Sequence, residues 1–270
     1  MSEVICIANQ KGGVAKTTTT ANLGIGLVRS GKRVLLVDFD PQADLCDSLG
    51  LKHTDDLDYT IANAMEGLIS EGAIDYERLI FQHREGVDII PSNIDLSDLE
   101  LRLVSVMGRE KILNTCLEPL KRKYDYILID CPPSLGMLTI NALSTADKVL
   151  IPVQAQYLPA KGMTKLLSTV NKVKRQINPK IQVCGIAITL ADMQTNMAKS
   201  TIEAIQKNFG KHLNIFHSII PVCVKAAEAG TEGKSIYQYA GNSTASQAYT
   251  SLTKEVIKAD RQKNKDKSER

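Results

Sequence analysis

Two lysines stand five residues apart in the stretch IANQKGGVAKTTTTANLG, residues 7–24. They are Lys11 and Lys16, with Gly12 and Gly13 between them and Thr17 and Thr18 following. Paired glycines let a main chain curl around an anion without Cβ clashes. Backbone N–H groups that open the next helix then face that anion. A lysine at the position of Lys16 reaches the β- and γ-phosphates of a nucleotide, and a hydroxyl at Thr17 is placed to ligate Mg²⁺. The general phosphate-loop pattern asks for glycine where this chain has Gln10 and Ala15. A negative φ at Ala15 would let its methyl group fit and stiffen the loop, and that is the expectation here. Lys11 is surplus to phosphate binding as such.

Three aspartates fall where an open α/β sheet does chemistry. Asp38 and Asp40 close the apolar run RVLLVDFD, and Asp130 closes YDYILID. Ligands of such sheets sit beyond the carboxyl ends of the strands. Any one strand-ending aspartate can be a turn or helix cap. Three of them alongside a phosphate loop predict a gathering near a metal ion and a γ-phosphate.

These groups need strands to carry them. EVICIA (3–8) reads as a buried strand feeding the loop, with a helix over about 16–29 closed by Gly31. Further strands are expected at 33–40, 87–90, 124–130, 148–153, 181–190 and 215–221. Helices are expected at 57–68, 94–120, 161–176, 195–208 and 243–258. Alternation of short apolar runs with helical segments predicts a single-domain α/β fold, a mostly parallel twisted sheet with helices on both faces. Low aromatic content (4%, no Trp) in a chain 43% hydrophobic agrees with that class. The domain is expected to span 1–258, with 259–270 a charged, disordered tail.

Charge is unevenly spread over the 270 residues. Residues 38–100 hold sixteen acids against three basic residues, a net of −13, although the whole chain is +3. Residues 148–191 hold seven basic residues and no acid. Such a stretch can concentrate polyanions despite a near-neutral total. Six cysteines at irregular spacing, none as CxxC, argue against a disulfide framework or zinc site. No apolar run approaches bilayer length and no leader pattern is visible, so a cytoplasmic protein without stable membrane association is expected.

The segments KGGVAKTT, VDFDPQ and LIDCPPSLG together resemble the deviant Walker A ATPases, most closely the ParA/Soj group of DNA-partition ATPases. The likeness continues through IPVQAQY, ITLADMQTNMA and IIPVCVKAAEAGTEGKSI. It implies the small type, without an N-terminal DNA-reading domain. The resemblance assigns Lys11 as a signature lysine that reaches a second subunit's nucleotide, so ATP binding and homodimerisation form one equilibrium. It also implies that Asp40 orients the attacking water, Thr17 ligates Mg²⁺, Asp130 holds the ion through water and Asp38 stands behind them. Residues 12–18 (Gly12, Gly13, Val14, Ala15, Lys16, Thr17, Thr18) would bind phosphates. Pro221 would line the adenine, with Cys223 where relatives carry Asn. Non-specific DNA binding, nucleoid association and a ParB-like partner that stimulates slow hydrolysis complete what the family implies.

Some positions depart from that pattern. Gln194 and Val222 stand where relatives often place DNA-contacting arginines, and Lys161 replaces an acid. Lys165, Lys172, Lys174, Arg175, Lys199 and Lys225 are candidate substitutes, because phosphate contacts need charge more than geometry. The alternative is a MinD-like positioning ATPase acting at a membrane or on a protein cargo. It would need an amphipathic C-terminal helix, and the chain after Lys258 contains no Leu, Ile, Val, Phe or Trp. An iron–sulfur protein of the nitrogenase iron protein type would draw on Cys131. A biosynthetic ligase on the same fold is a further rival.

Overall fold

The computed structural model describes residues 2–156 and 160–268, with the backbone alone for 160, 161 and 261–268. Eight strands form one sheet: β1 (Glu3–Ile7), β2 (Val34–Asp38), β3 (Phe81–Gln82), β4 (Asp88–Ile90), β5 (Tyr126–Asp130), β6 (Lys148–Gln154), β7 (Gln182–Ala191) and β8 (Ile215–Pro221). Their order is β3-β4-β2-β5-β1-β6-β7-β8. All neighbours are parallel except β3, which pairs antiparallel with β4 at one edge. The chain therefore leaves β1, crosses over β5 and returns in β2. This places β1 at the centre with Asp38 and Asp130 in register beside its end.

Side-chain alternation splits the central strands between two cores. Val4, Cys6, Leu35, Val37, Ile127 and Ile129 face one way, and Ile5, Ile7, Val34, Leu36 and Leu128 the other. Helices α3 (Ile61–Ile69), α5 (Asp95–Leu103), α6 (Ile112–Leu117), α7 (Met137–Thr145), α8 (Ala160–Gln176) and α9 (Asn196–Phe209) cover the first face. The second lies under α1 (Lys16–Arg29), α2 (Asp44–Ser48), α10 (Val224–Thr231), α11 (Ile236–Ala240) and α12 (Thr244–Ser268). A single turn, α4 (Tyr76–Leu79), precedes β3. Gly24 allows α1 to lie close on the sheet, since a Cβ there would stand 2.5 Å from Leu36 Cδ2.

Two expectations are corrected. The helix expected over 94–120 is two helices, separated at Val104–Gly108, where Gly108 turns at φ +68°. The helix expected from 57 begins at Ile61, because Thr60 and Asn63 form a reciprocal capping box. The backbone of α12 continues to Ser268, and Asp260 is buried against Lys148 and Tyr126, whose hydroxyl donates to it at 2.6 Å.

Candidate nucleotide site

The phosphate loop runs from the end of β1 to the start of α1 and is tied down at several points. Asn9 Nδ2 donates to Pro152 O at 2.6 Å, and Asn9 Oδ1 accepts from Lys11 N at 3.0 Å. The Thr189 hydroxyl holds Val14 O at 3.0 Å from β7. Gly13 lies at φ +68°. Ala15 lies at φ 60°, ψ 37°, so the expected negative φ is wrong. The loop must reverse within one residue to aim the first N–H groups of α1 inward. The left-handed region does that, and the methyl group is strained there. Val14 is buried, while Gly12 and Gly13 are exposed at the loop's rim.

Lys16 is buried with its Nζ 3.4 Å from Lys11 O, inside the curl of the loop. The next residue, Thr17, donates to Asp130 Oδ2 at 2.7 Å and, one turn on, Thr20 donates to Asp130 Oδ1 at 2.9 Å. Both oxygens of this carboxylate are thus held by α1. Because Thr17 donates in this bond, its oxygen lone pairs remain available to ligate a cation. Thr18 is half-buried, its carbonyl accepting from Asn22 Nδ2 at 2.8 Å.

Across the sheet, fully buried Asp38 accepts from Cys46 N at 2.9 Å. Burial, with Asp130 nearby as a second negative charge, pushes its carboxyl up to about 8. Burial pushes Asp130 up to about 7, although Thr17, Thr20 and Lys16 oppose the shift. Two adjacent carboxylates with raised proton affinity suit a hard cation, and the donors around them are oxygens. Among the described residues no three acidic, His or Cys side chains converge tightly enough to hold a metal by themselves.

Asp40 is half-exposed at the mouth of the site. Its Oδ1 accepts from Gln42 N at 3.1 Å and its carbonyl from Ala43 N at 2.9 Å, closing the turn on itself. Lys11 lies on the surface with Nζ 3.4 Å from Gln154 Oε1. Pro221 ends β8 opposite Ala191, and Cys223 caps α10, both at the same carboxyl edge.

Sequence reasoning missed four contributors. Thr20 could have been found from the threonine run, since it stands one turn beyond Thr17. Asn9 and Thr189 act on loop carbonyls and amides and carry no motif. Asp44, at the start of α2, has its carboxyl raised by burial and by Asp40 and Asp47, with Lys16 opposing.

The structure does not gather all of the basic residues. On α8, Met163, Leu166, Val170 and Val173 are buried, which leaves Lys165, Lys172, Lys174 and Arg175 exposed. Lys199 on α9 is exposed on the same side of the sheet, whereas Lys225 on α10 lies across it. Lys148, counted in the acid-free stretch, is buried between Glu3 and Asp260 and presents no charge to a partner. Lys161 lies outside the residues whose side chains are described.

A phosphate loop at the end of a central parallel strand, closed by a buried lysine and backed by paired carboxylates, defines a P-loop nucleotide-binding protein. Comparison narrows the class. Residues 2–183 match a family model described as an AAA domain. The chain is 40% identical over 256 residues to the sporulation initiation inhibitor protein Soj of Bacillus subtilis, covering 95% of this chain and 98% of Soj. It is 39% identical to the chromosome partitioning protein ParA of Myxococcus xanthus, covering 98% and 91%. The crystal structure of cobyrinic acid a,c-diamide synthase from Mycobacterium smegmatis with bound ATP analogue and magnesium superposes with a TM-score of 0.82 at 33% identity, covering 94% and 93%. The chain belongs to the ParA/Soj-type partition ATPases of the MinD/ParA family.

Proposed function

We propose that this protein binds and hydrolyses ATP, and that ATP-driven dimerisation switches its non-specific binding to DNA in chromosome or plasmid partition. The observation that carries the reading is the Lys16–Thr17–Asp130–Thr20 arrangement beside Asp38. It supplies a cation for the phosphates, a hydroxyl for a metal and a fixed carboxylate behind it. Residues 12–18 cradle the phosphates, and Pro221 and Cys223 flank the base. Mg²⁺, once bound, would neutralise charge building on the phosphoryl oxygens. Thr17, Asp130 and Asp38 are the residues that would hold it. Asp40 orients the attacking water from the mouth of the site. Lys11 leaves Gln154 to reach the other protomer's γ-phosphate, and loss of that phosphate releases the pair.

The exposed bases of α8, with Lys199, supply sequence-independent phosphate contacts, and Lys225 contributes from the other face. A ParB-like protein supplies the stimulus for hydrolysis, and the protein works on the nucleoid in the cytoplasm. Among the described residues no helix is long and apolar enough to cross a membrane. The test is light scattering with ADP and with ATP, on the parent and on Asp40→Ala, alongside DNA retention against salt. An ATP-dependent dimer, longer-lived in Asp40→Ala, and steeply salt-sensitive retention are expected. A monomer in all four states, or salt-insensitive DNA binding, refutes the reading.

A further inference from the structure

Asn22 is buried in α1 beyond the phosphate-binding residues, and both ends of its amide are used. Its Nδ2 donates to Thr18 O at 2.8 Å, one turn back toward the phosphate loop. Its Oδ1 accepts at 2.8 Å from Ile236 N, the first residue of α11 and 214 positions away in the chain. The two bonds fix the amide's orientation, since a carbonyl meets only its NH₂ end and an N–H only its oxygen. The first N–H groups of a helix have no partner within that helix. Ile236 is fully buried, so its N–H depends on Asn22. Leaving such a buried group unpaired costs more than the bond itself contributes. One side chain thus joins the phosphate-binding end of α1 to the elements that follow the last strand.

What hangs on this link is the support of Pro221 and Cys223. Cys223 caps α10, and Val222 N donates to Ala191 O at 3.2 Å. From there α10 leads through residues 232–235 to Ile236. Of the eight residues of α10 only Ala229 is buried, and Ala226 packs partly buried. So small an apolar contact fixes a helix poorly. The place of α10 is therefore set by what grips its ends. Its far end is gripped from two sides. From the turn between β3 and β4, Arg84 Nη2 donates to Gly233 O at 2.9 Å, and Glu85 accepts from Ser235 N at 2.9 Å and from the Ser235 hydroxyl. Gly233, at φ +62°, lies so close to Gly50 that an added Cβ would stand 2.6 Å from Gly50 Cα. From the other side Asn22 holds Ile236, and Asn22 is the member of this grip that also touches the phosphate-binding turn of α1.

We infer that Asn22 is a positioning residue for the nucleotide's base: it sets how far residues 221–223 stand from the phosphate loop, and so how well the protein tells a nucleotide from a bare phosphate chain. Asn22 acts through α11 and α10 and touches neither part of the ligand. A nucleotide spans the two places at a fixed length, so a base wall that drifts loses the base while the phosphates stay bound. The phosphate side keeps its shape without Asn22, because Thr189 holds Val14 O and Asn9 holds Lys11 N. This inference rests on the placement of the base beside Pro221 and Cys223 given under the proposed function.

The test compares calorimetric dissociation constants of the full chain for Mg-ADP and for magnesium pyrophosphate, which keeps the phosphates and lacks sugar and base. The parent should prefer ADP. Asn22→Leu, similar in size, should weaken ADP by about tenfold or more and pyrophosphate by less than about threefold. Asn22→Asp keeps an acceptor for Ile236 N and should hold ADP within about threefold of the parent. A merely structural role would lower the urea midpoint and leave the ratio of the two constants unchanged. Equal weakening of both ligands, an unchanged preference, or an aspartate variant as poor as the leucine one overturns the inference. Should Asn22→Leu not fold, Glu85→Ala carries the test, since it frees Ser235 from the other side of the same loop. It should weaken ADP about threefold or more with pyrophosphate unaffected, and an unchanged ADP constant overturns the inference. Photolabelling of the parent with an azido derivative of ADP locates the base independently. Label on residues 221–223 with an unchanged ratio in Asn22→Leu refutes the link alone. Label elsewhere refutes the base wall, and the link with it.

Discussion

Ala15→Gly separates strain stored in the fold from strain created on binding. An L-residue at φ 60°, ψ 37° costs roughly 1–2 kcal/mol relative to the right-handed region, with alanine at the low end. Glycine removes that term. Its freer unfolded chain takes back about 0.4–1 kcal/mol. The net is a stabilisation of about 0.5 kcal/mol, or a rise in Tm of about 1–2 °C for a chain of this size. The loop is held by bonds internal to the protein: Thr189 to Val14 O, Asn9 to Lys11 N, and Thr19 N to Ala15 O at 3.0 Å. The strained conformation therefore belongs to the folded protein before and after nucleotide binds, and the affinity term cancels. Urea denaturation and titration with a fluorescent ATP analogue measure the two quantities. Expected are a small gain in stability and a dissociation constant within about threefold of the parent. Affinity improved beyond tenfold, about 1.4 kcal/mol, would mean that Ala15 reaches the left-handed region only with ligand. Destabilisation by more than about 1 kcal/mol would mean that no strain was relieved.

Three further perturbations test the frame around the site. Gly24→Ala places a methyl group against fully buried Leu36, which cannot swing away, and should destabilise by about 1–2 kcal/mol in urea titrations despite better helix propensity. Asp38 and Asp130 hold protons up to about pH 8 and 7 in the folded chain, whereas unfolded carboxylates lose them near 4. Unfolding therefore releases protons between about pH 4 and 8, and stability falls as pH rises through that window. Without divalent cations, Tm should drop from pH 6 to 8.5, and Asp38→Asn should flatten the slope; a flat or rising parent profile contradicts the assignment. Asp260→Ala leaves Lys148 buried with Glu3 alone, 2.9 Å away, and deprives the Tyr126 hydroxyl of its acceptor. A loss of about 2 kcal/mol is expected, less than for a buried ion left with no partner. Deleting residues 259–270 should reproduce it, and an unchanged urea midpoint would return Asp260 to the tail.

What the sequence made legible follows from the range of the forces involved. Strand ends and the phosphate loop were readable because each is written in a short apolar run that stops at a functional residue, whereas the pairing of β2 with β5 came only from the structure. Asp38 and Asp130 emerge directly opposite each other for that reason. The φ of Ala15 was not readable, because the residue type favours a right-handed turn and the tertiary ties of the loop override it. The break between α5 and α6 had a visible cause in Gly108, but a sequence rich in leucine on both sides masked it. Asp260 was misplaced because charge was weighed without position. A carboxylate in a run of lysines reads as solvated until a lysine at the foot of β6 is found buried beneath it. The same error in reverse made Lys148 part of a basic surface. Sequence charge reports on partners only where the fold leaves it exposed, and that condition holds for α8 but fails at the amino edge of the sheet.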